Sequence, residues 1–82
     1  MQYPHYGINR RVLDDILIDL GGDVVPLHRT GEVQYRHPLL RETPRADGRR
    51  KDAPMHLVKF VRRVIDAKGL NDKHSKRADG AA

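Results

Sequence analysis

Residues 24–37 decide the fold, and they read VVPLHRTGEVQYRH. Two stretches rich in β-branched residues flank the turn-forming residues 29–31, which is the pattern of an antiparallel hairpin. A three-residue loop, with Gly31 in the left-handed conformation, pairs His28 with Glu32. The apolar side chains that share one face in this register are Val25, Leu27, Val33 and Tyr35. The polar side chains on the opposite face are His28, Glu32, Gln34 and Arg36.

A helix is predicted on each side of this hairpin. Asn9 is a good N-cap, and apolar residues recur at helical spacing from there to Gly21-Gly22, so the first helix spans about residues 10–20. Its apolar residues are Val12, Leu13, Ile16, Leu17 and Leu20. The second helix is expected to begin after Asp52 as its cap and to end at Gly69-Leu70. Its apolar face contains Leu57, Val58, Phe60, Val61, Val64 and Ile65.

A third strand is predicted over residues 39–43, between His37-Pro38 and a loop of turn-forming residues at 44–52. The expected fold class is therefore α+β: a helix, a three-stranded antiparallel sheet and a helix (αβββα), with both helices on one face of the sheet. We expect one domain over residues 1–70. Residues 71–82 have no apolar anchor, and we expect them to form a flexible tail.

Composition excludes several classes of protein. The chain has 82 residues and no cysteine, so neither a disulfide framework nor a cysteine-ligated zinc site is expected. No apolar run is long enough for a transmembrane helix or an export signal, and a reducing cytoplasm is the expected compartment. The five histidines lack the paired spacing of metal ligands. No metal or cofactor is predicted.

Positive charge is concentrated in the second half of the chain. Residues 1–40 carry four basic and five acidic residues, whereas residues 41–82 carry twelve basic and six acidic residues. Clustered Lys and Arg side chains favour a polyanionic partner, because neutralising phosphates releases counterions. A basic surface that serves only solubility is the alternative. With four aromatic residues in the chain, base-stacking platforms are scarce, and recognition of the backbone and shape of a nucleic acid is expected rather than base-by-base reading.

The loop before the second helix carries the strongest binding signal. It lies close to a predicted helix amino terminus, where N–H groups favour an anion, and Gly48 allows it to bend around a phosphate. A solvated loop without a ligand is the alternative. The candidate phosphate-binding residues in this loop, on the second helix and on the sheet are Arg36, Arg45, Arg49, Arg50, Lys51, Arg62 and Arg63.

Three short motifs follow one another along the chain: Leu20-Gly21-Gly22, Tyr35-Arg36-His37-Pro38 and Ala67-Lys68-Gly69-Leu70. Their order over about residues 10–70 resembles the HicA family of small mRNA-cleaving toxins of toxin–antitoxin systems. The resemblance implies a double-stranded-RNA-binding-like fold and a sheet that faces RNA. The Gly-Ser-His-His signature of the family falls on residues 30–33, so Glu32 stands at the position of its catalytic histidine.

His28 and Glu32 are the candidate catalytic residues. In the predicted register they face each other, where an imidazole could exchange a proton near neutral pH while Arg36 holds a phosphate. The same pair is also an ordinary cross-strand contact. The sequence thus predicts a small basic RNA-binding protein that resembles a HicA-type toxin, with ribonuclease activity displaced or lost.

The alternative function is a protein-interaction module, encoded by a phage or mobile element, that binds and regulates a host protein. An exposed edge strand at residues 24–28 would then recruit a partner strand. RNA is the expected partner in the first case, and an antitoxin-like or host protein is the expected partner in the second. Neither case involves a membrane.

Overall fold

A computed structural model describes residues 2–70 of the chain. The elements in chain order are α1 (Arg10–Asp19), β1 (Asp23–Leu27), β2 (Glu32–Arg36), β3 (Arg45–Asp47) and α2 (Met55–Ala67). The strands form one antiparallel sheet in the order β1-β2-β3. The predicted αβββα fold is confirmed. The tail predicted for residues 71–82 lies outside the described residues.

Both helices end where glycine was expected to end them. After α1, Gly21 has a φ of 92° and its N–H donates to Ile18 O at 3.0 Å, while Gly22 N–H donates to Leu17 O at 2.9 Å. These two bonds form a Schellman motif, and residues 69–70 make the equivalent pair after α2. Gly22 is also sterically required, because a Cβ atom there would lie 2.7 Å from the Arg36 carbonyl oxygen.

The start of α2 differs from the prediction. Asp52 does not cap the helix, which begins at Met55 with Pro54 in the N-cap position and no side-chain cap. Instead, Asp52 forms an isolated antiparallel bridge with Asn9, and Ala53 N–H donates to Ile8 O at 2.8 Å. The residues before α2 therefore run alongside the residues before α1, and this contact was not visible in the local sequence.

The hairpin register is one residue away from the predicted one. Leu27, not His28, lies opposite Glu32, because the loop contains four residues, and Gly31 takes the left-handed conformation (φ 72°) at its last position. Gly31 N–H closes the loop by donating to Leu27 O at 2.9 Å. The shift moves Val25 and Leu27 to the face away from the helices, and Val24 packs against the core instead.

The third strand lies further along the chain than predicted. Residues 39–43 do not form a strand: Leu39 is exposed, and its N–H donates to Nδ1 of His37 at 3.1 Å in a tight turn. β3 falls at Arg45–Asp47, inside the segment that was predicted as a loop. Only Ala46 of β3 is buried, so the strand has almost no apolar signal in the sequence.

The core lies between the two helices and one face of the sheet. Tyr35 of β2 is fully buried, its ring centroid is 6.3 Å from that of Phe60 in α2, and its hydroxyl contacts Asp14 in α1. Every residue of the predicted apolar face of α2 is buried. On α1, Leu13, Leu17 and Leu20 are buried as predicted, whereas Val12 was wrongly included, since it is exposed.

Candidate nucleic-acid-binding site

A buried arginine organises one end of the molecule. Arg10, the first residue of α1, is 8% exposed. Its guanidinium donates to Gly48 O at 3.0 Å and to Arg50 O at 3.3 Å, and its backbone N–H donates to Lys51 O at 2.7 Å. Three carbonyl groups of residues 48–51 are thus bound to one residue of α1. We call these four residues the latched loop.

The hydrogen bonds of Arg10, which we call the latch, continue into the core through Asp14. Arg10 Nη1 donates to Asp14 Oδ2 at 2.7 Å, and the Tyr35 hydroxyl donates to the other oxygen of the same carboxylate. Burial raises the pKa of the Tyr35 phenol well above its ordinary value, and the hydrogen bond to Asp14 raises it further. Tyr35 therefore stays protonated and available as a donor, and the latched loop is connected to the centre of the sheet.

A cleft of about 670 Å³ lies between the latched loop and the start of α1. Arg11, Arg49, Arg50 and Lys51 supply its exposed cations, and no acidic residue lines it. Arg49 is paired with Asp47 at 3.5 Å, with both side chains at least half exposed. Within residues 2–70, the other three cations make no ion pair. The cleft therefore presents uncompensated positive charge, and we call it the basic cleft.

Side chains, rather than helix amides, are available for an anion in this cleft. The side chain of Asn9 accepts from the N–H groups of Arg11 and Val12, and the backbone carbonyl of Asn9 accepts from Leu13 N–H at 3.0 Å. With Arg10 N–H bound to Lys51 O, the first four N–H groups of α1 all have partners. The helix contributes its dipole to the positive potential, but it offers no free donor there.

Asp47 shapes the loop that follows β3. Its carboxylate accepts from the backbone N–H of Arg49 at 2.8 Å, and this hydrogen bond holds the pKa of Asp47 below its usual value. Gly48 N–H donates to Gly31 O at 2.9 Å, which ties the latched loop to the hairpin loop. A Cβ atom at position 48 would lie 2.8 Å from that same oxygen, so glycine is needed for this approach.

The open face of the sheet carries charges of both signs. By strand alternation, Arg36 and Arg45 lie on this face together with Asp23, Glu32 and Asp47. Arg36 lies opposite Asp23, and its Nε donates to Gln34 Oε1 at 3.0 Å. Glu32 lies opposite Asp47, so two carboxylates meet at the end of the sheet nearest the loops. The cations of this face are therefore accompanied by carboxylates, whereas no acidic residue lines the basic cleft.

The two candidate catalytic residues are not paired across the strands. Glu32 is in β2, whereas His28 is exposed in the hairpin loop and lines a shallow groove with Arg29 and Arg45. The prediction that His28 lies directly opposite Glu32 was therefore wrong. The cause is the four-residue loop, which places every residue of β1 one position away from its expected partner.

The candidate residues on α2 already have protein partners. Arg62 donates from Nε to Pro4 O at 2.9 Å, and its guanidinium lies over the rings of Tyr3 and Tyr6, at 5.2 Å and 4.2 Å from their centroids. Arg63 is 3.5 Å from Glu42 in a half-exposed pair. The structure thus divides the seven predicted phosphate contacts among the basic cleft, the open face and α2.

Two of the remaining histidines have structural contacts. Nδ1 of buried His37 accepts from Leu39 N–H, so Nε2 carries the proton and donates to Leu20 O at 2.8 Å, at the end of α1. His56 Nε2 lies 2.6 Å from Arg45 O and joins α2 to β3. Among the described residues, no three His, Asp or Glu side chains come together as metal ligands. The same part of the chain contains no helix long and apolar enough to cross a bilayer.

Sequence reasoning missed Arg10, Arg11, Tyr3 and Tyr6 as parts of a site. Arg10 was counted as one basic residue among many, and its contacts with the latched loop lie 38 to 41 residues away along the chain, beyond the range of local patterns. A basic residue directly after an N-cap, where acidic residues are favoured, was the available signal. For Tyr3 and Tyr6, the signal was two aromatic residues in a short segment before the first helix.

Comparison of the chain with models of known protein families, with curated proteins and with solved structures finds no match.

Proposed function

We propose that this chain is a small RNA-binding protein that binds the sugar–phosphate backbone in the basic cleft. The fold order is the one that the resemblance to HicA-type toxins implies, and the RNA target fits the charge distribution of the sequence. In this proposal, the phosphates of the RNA bind in the cleft between α1 and the latched loop. The open face of the sheet has a secondary role.

The observation that carries the proposal is the latch itself. Three bonds from Arg10 to the carbonyl groups of residues 48–51 fix the backbone of the loop, while the side chains of Arg50 and Lys51 stay exposed at the cleft. A loop that is fixed before binding loses less conformational entropy on binding, so more of the electrostatic attraction appears as affinity. A charged loop that serves only solubility does not need this backbone to be immobilised.

The chemistry of the cleft fits phosphate oxygens. The guanidinium groups of Arg11, Arg49 and Arg50 can donate two parallel hydrogen bonds to a phosphate, and the ammonium of Lys51 adds a point charge. Contacts with phosphate oxygens carry no sequence information, so we expect binding of many sequences with similar affinity. Since His28 does not face Glu32, the proposal is binding without cleavage.

The test is a fluorescence-anisotropy titration of a labelled RNA hairpin with a single-stranded overhang, at 50 and 200 mM salt. If three cations contact phosphates, affinity should fall by about 20-fold to about 40-fold between these salt concentrations. Arg50→Glu should weaken binding about tenfold, because it removes one attraction and adds one repulsion. The structural contacts of Arg50 use its backbone atoms, so this variant keeps the latch.

Arg41→Glu is the matched control, because Arg41 is exposed, lines no part of the cleft and undergoes the same change of charge. Its affinity should stay within about twofold of the wild type, since screening weakens distant charges. Equal losses in the two variants, or a complex that is insensitive to salt, would reject the basic cleft. Absence of RNA binding would favour the protein-interaction module.

A further inference from the structure

The segment before α1 is attached to α2 by an aromatic contact around Arg62. The guanidinium of Arg62 lies 4.2 Å from the ring centroid of Tyr6 and 5.2 Å from that of Tyr3, and its Nε donates to Pro4 O at 2.9 Å. The Tyr3 hydroxyl donates to the carboxylate of Asp66. Four contacts thus hold the segment that carries Tyr3 and Tyr6 against α2.

An open groove of about 320 Å³ lies beside Tyr3. Lys59, Arg62, Arg63 and Asp66 of α2 form the rest of its lining. Tyr3 as a whole residue is 39% exposed and lines this groove, while Arg62 lies over its ring. Lys59 is exposed and makes no ion pair within residues 2–70, and Arg63 has only its half-exposed pair with Glu42. The groove combines an aromatic ring held against α2 with the cations of Lys59 and Arg63, beside the carboxylate of Asp66.

We propose that this groove binds a single unpaired nucleotide of the RNA, with the base stacked on Tyr3 and the adjoining phosphate held by Lys59 and Arg63. An immobilised tyrosine stacks on a base with little further loss of rotamer entropy, and stacking tolerates any base. Asp66 orients the tyrosine ring. This inference rests on the proposed function and adds a second kind of recognition, because the basic cleft contacts only phosphates.

The groove and the basic cleft lie at opposite ends of one short segment. Tyr3 lines the groove, and Asn9 lines the cleft. Six residues of fully extended chain span about 20 Å, so the Cα atoms of Tyr3 and Asn9 are no further apart than that. Phosphates on one nucleic-acid strand are about 3.4 Å apart along a helix. A strand of seven or more nucleotides can therefore reach from the cleft to the groove.

The experiment measures the affinity of the full chain for a fluorescein-labelled ten-nucleotide oligoadenylate, with inorganic polyphosphate as a competitor that has charge but no bases. Tyr3→Ala should weaken oligoadenylate binding about tenfold, the effect expected for one stacked base. The affinity of Tyr3→Ala for polyphosphate should stay within about twofold of that of the wild type, because the basic cleft is unchanged. Tyr3→Phe is the matched control: it keeps the ring and should bind oligoadenylate within about threefold of the wild type.

The outcomes separate the groove from the cleft. If the wild type binds oligoadenylate and Tyr3→Ala binds it equally well, the groove is rejected and the proposed function stands. If Tyr3→Ala weakens oligoadenylate and polyphosphate to the same extent, the change has affected the whole surface and the groove is also rejected. If the wild type binds neither ligand, both the proposed function and the groove are rejected. As a second variant, Lys59→Ala should weaken binding of oligoadenylate more than Lys68→Ala does.

Discussion

The basic cleft and the open face of the sheet both expose arginine side chains, but their surroundings differ. In the cleft, the cations lie on a loop whose backbone is bound to a buried arginine, and no carboxylate lines the space between them. On the open face, Arg36 and Arg45 share the surface with three carboxylates. The number of basic residues therefore does not locate a phosphate site. The fixed backbone and the smaller number of nearby carboxylates distinguish the cleft, where Asp47 pairs with Arg49, from the open face.

The comparison also changes what the resemblance to HicA-type toxins implies. That resemblance directs attention to the sheet, where the family has its catalytic histidine and where this chain has Glu32. The strongest uncompensated charge lies instead at the end of the molecule where α1 begins. The sheet contributes by fixing the geometry of that end, through Tyr35 and Asp14.

The largest expected effect comes from breaking the latch. Arg10→Ala leaves the carboxylate of Asp14 without its cation in a largely buried position, and loss of one partner of a buried pair costs about 3 kcal/mol of unfolding free energy. Urea unfolding followed by circular dichroism measures this change. The neighbouring exposed residue gives the control, since Arg11→Ala should change stability by less than about 0.5 kcal/mol. Equal unfolding midpoints for the two variants would mean that the latch contributes nothing.

A smaller effect is expected at the inner end of the latch. Tyr35→Phe removes the hydrogen bond to Asp14 and should cost about 1 kcal/mol at pH 7. Because the pKa of Tyr35 is raised in the folded state, the wild type loses stability relative to Tyr35→Phe once the pH exceeds the ordinary tyrosine value of about 10, where the unfolded chain ionises first. Urea unfolding at pH 7 and at about pH 10.5 tests the sign. If the stability advantage of the wild type over Tyr35→Phe grows with pH, the expected sign is contradicted.

The smallest effects are expected for substitutions in the shallow groove at the hairpin loop, which is separate from the groove beside Tyr3. His28→Ala and Arg45→Ala change exposed side chains on the open face and its rim, and each should alter RNA affinity by less than about threefold, since surface charges are screened. When RNA is incubated with the wild type and analysed on a denaturing gel, we expect no cleavage. His28→Ala therefore has no activity to abolish. Cleavage that disappears in His28→Ala would restore a catalytic role to that residue and would move the functional centre to the sheet.

The helices could be predicted from the sequence because their signals are local. The apolar face of α2 repeats at helical spacing, Asn9 caps α1 through its own side chain, and glycines end both helices in Schellman motifs. Each of these features depends on residues within one or two turns of one another. The boundaries of α1 and the end of α2 agree with the sequence for this reason.

The sheet and the site depend on contacts between distant residues, and there the sequence was a poorer guide. One extra loop residue before Gly31 shifted the register, and β3 has only Ala46 to mark it as a buried strand. The basic loop was predicted, but its position was not. It was expected at the start of α2, and it lies against the start of α1 because Arg10 binds its carbonyl groups.

Mapping the RNA contact by NMR tests the central claim most directly. Amide chemical shifts of the uniformly ¹⁵N-labelled chain would be followed while the RNA hairpin is added at 50 mM salt. The account predicts that the largest shifts occur at Arg11 and at residues 48–51, with small shifts along β1 and β2. Large shifts along β1 and β2, with residues 48–51 unmoved, would show that RNA binds the open face of the sheet and would contradict the assignment of the basic cleft.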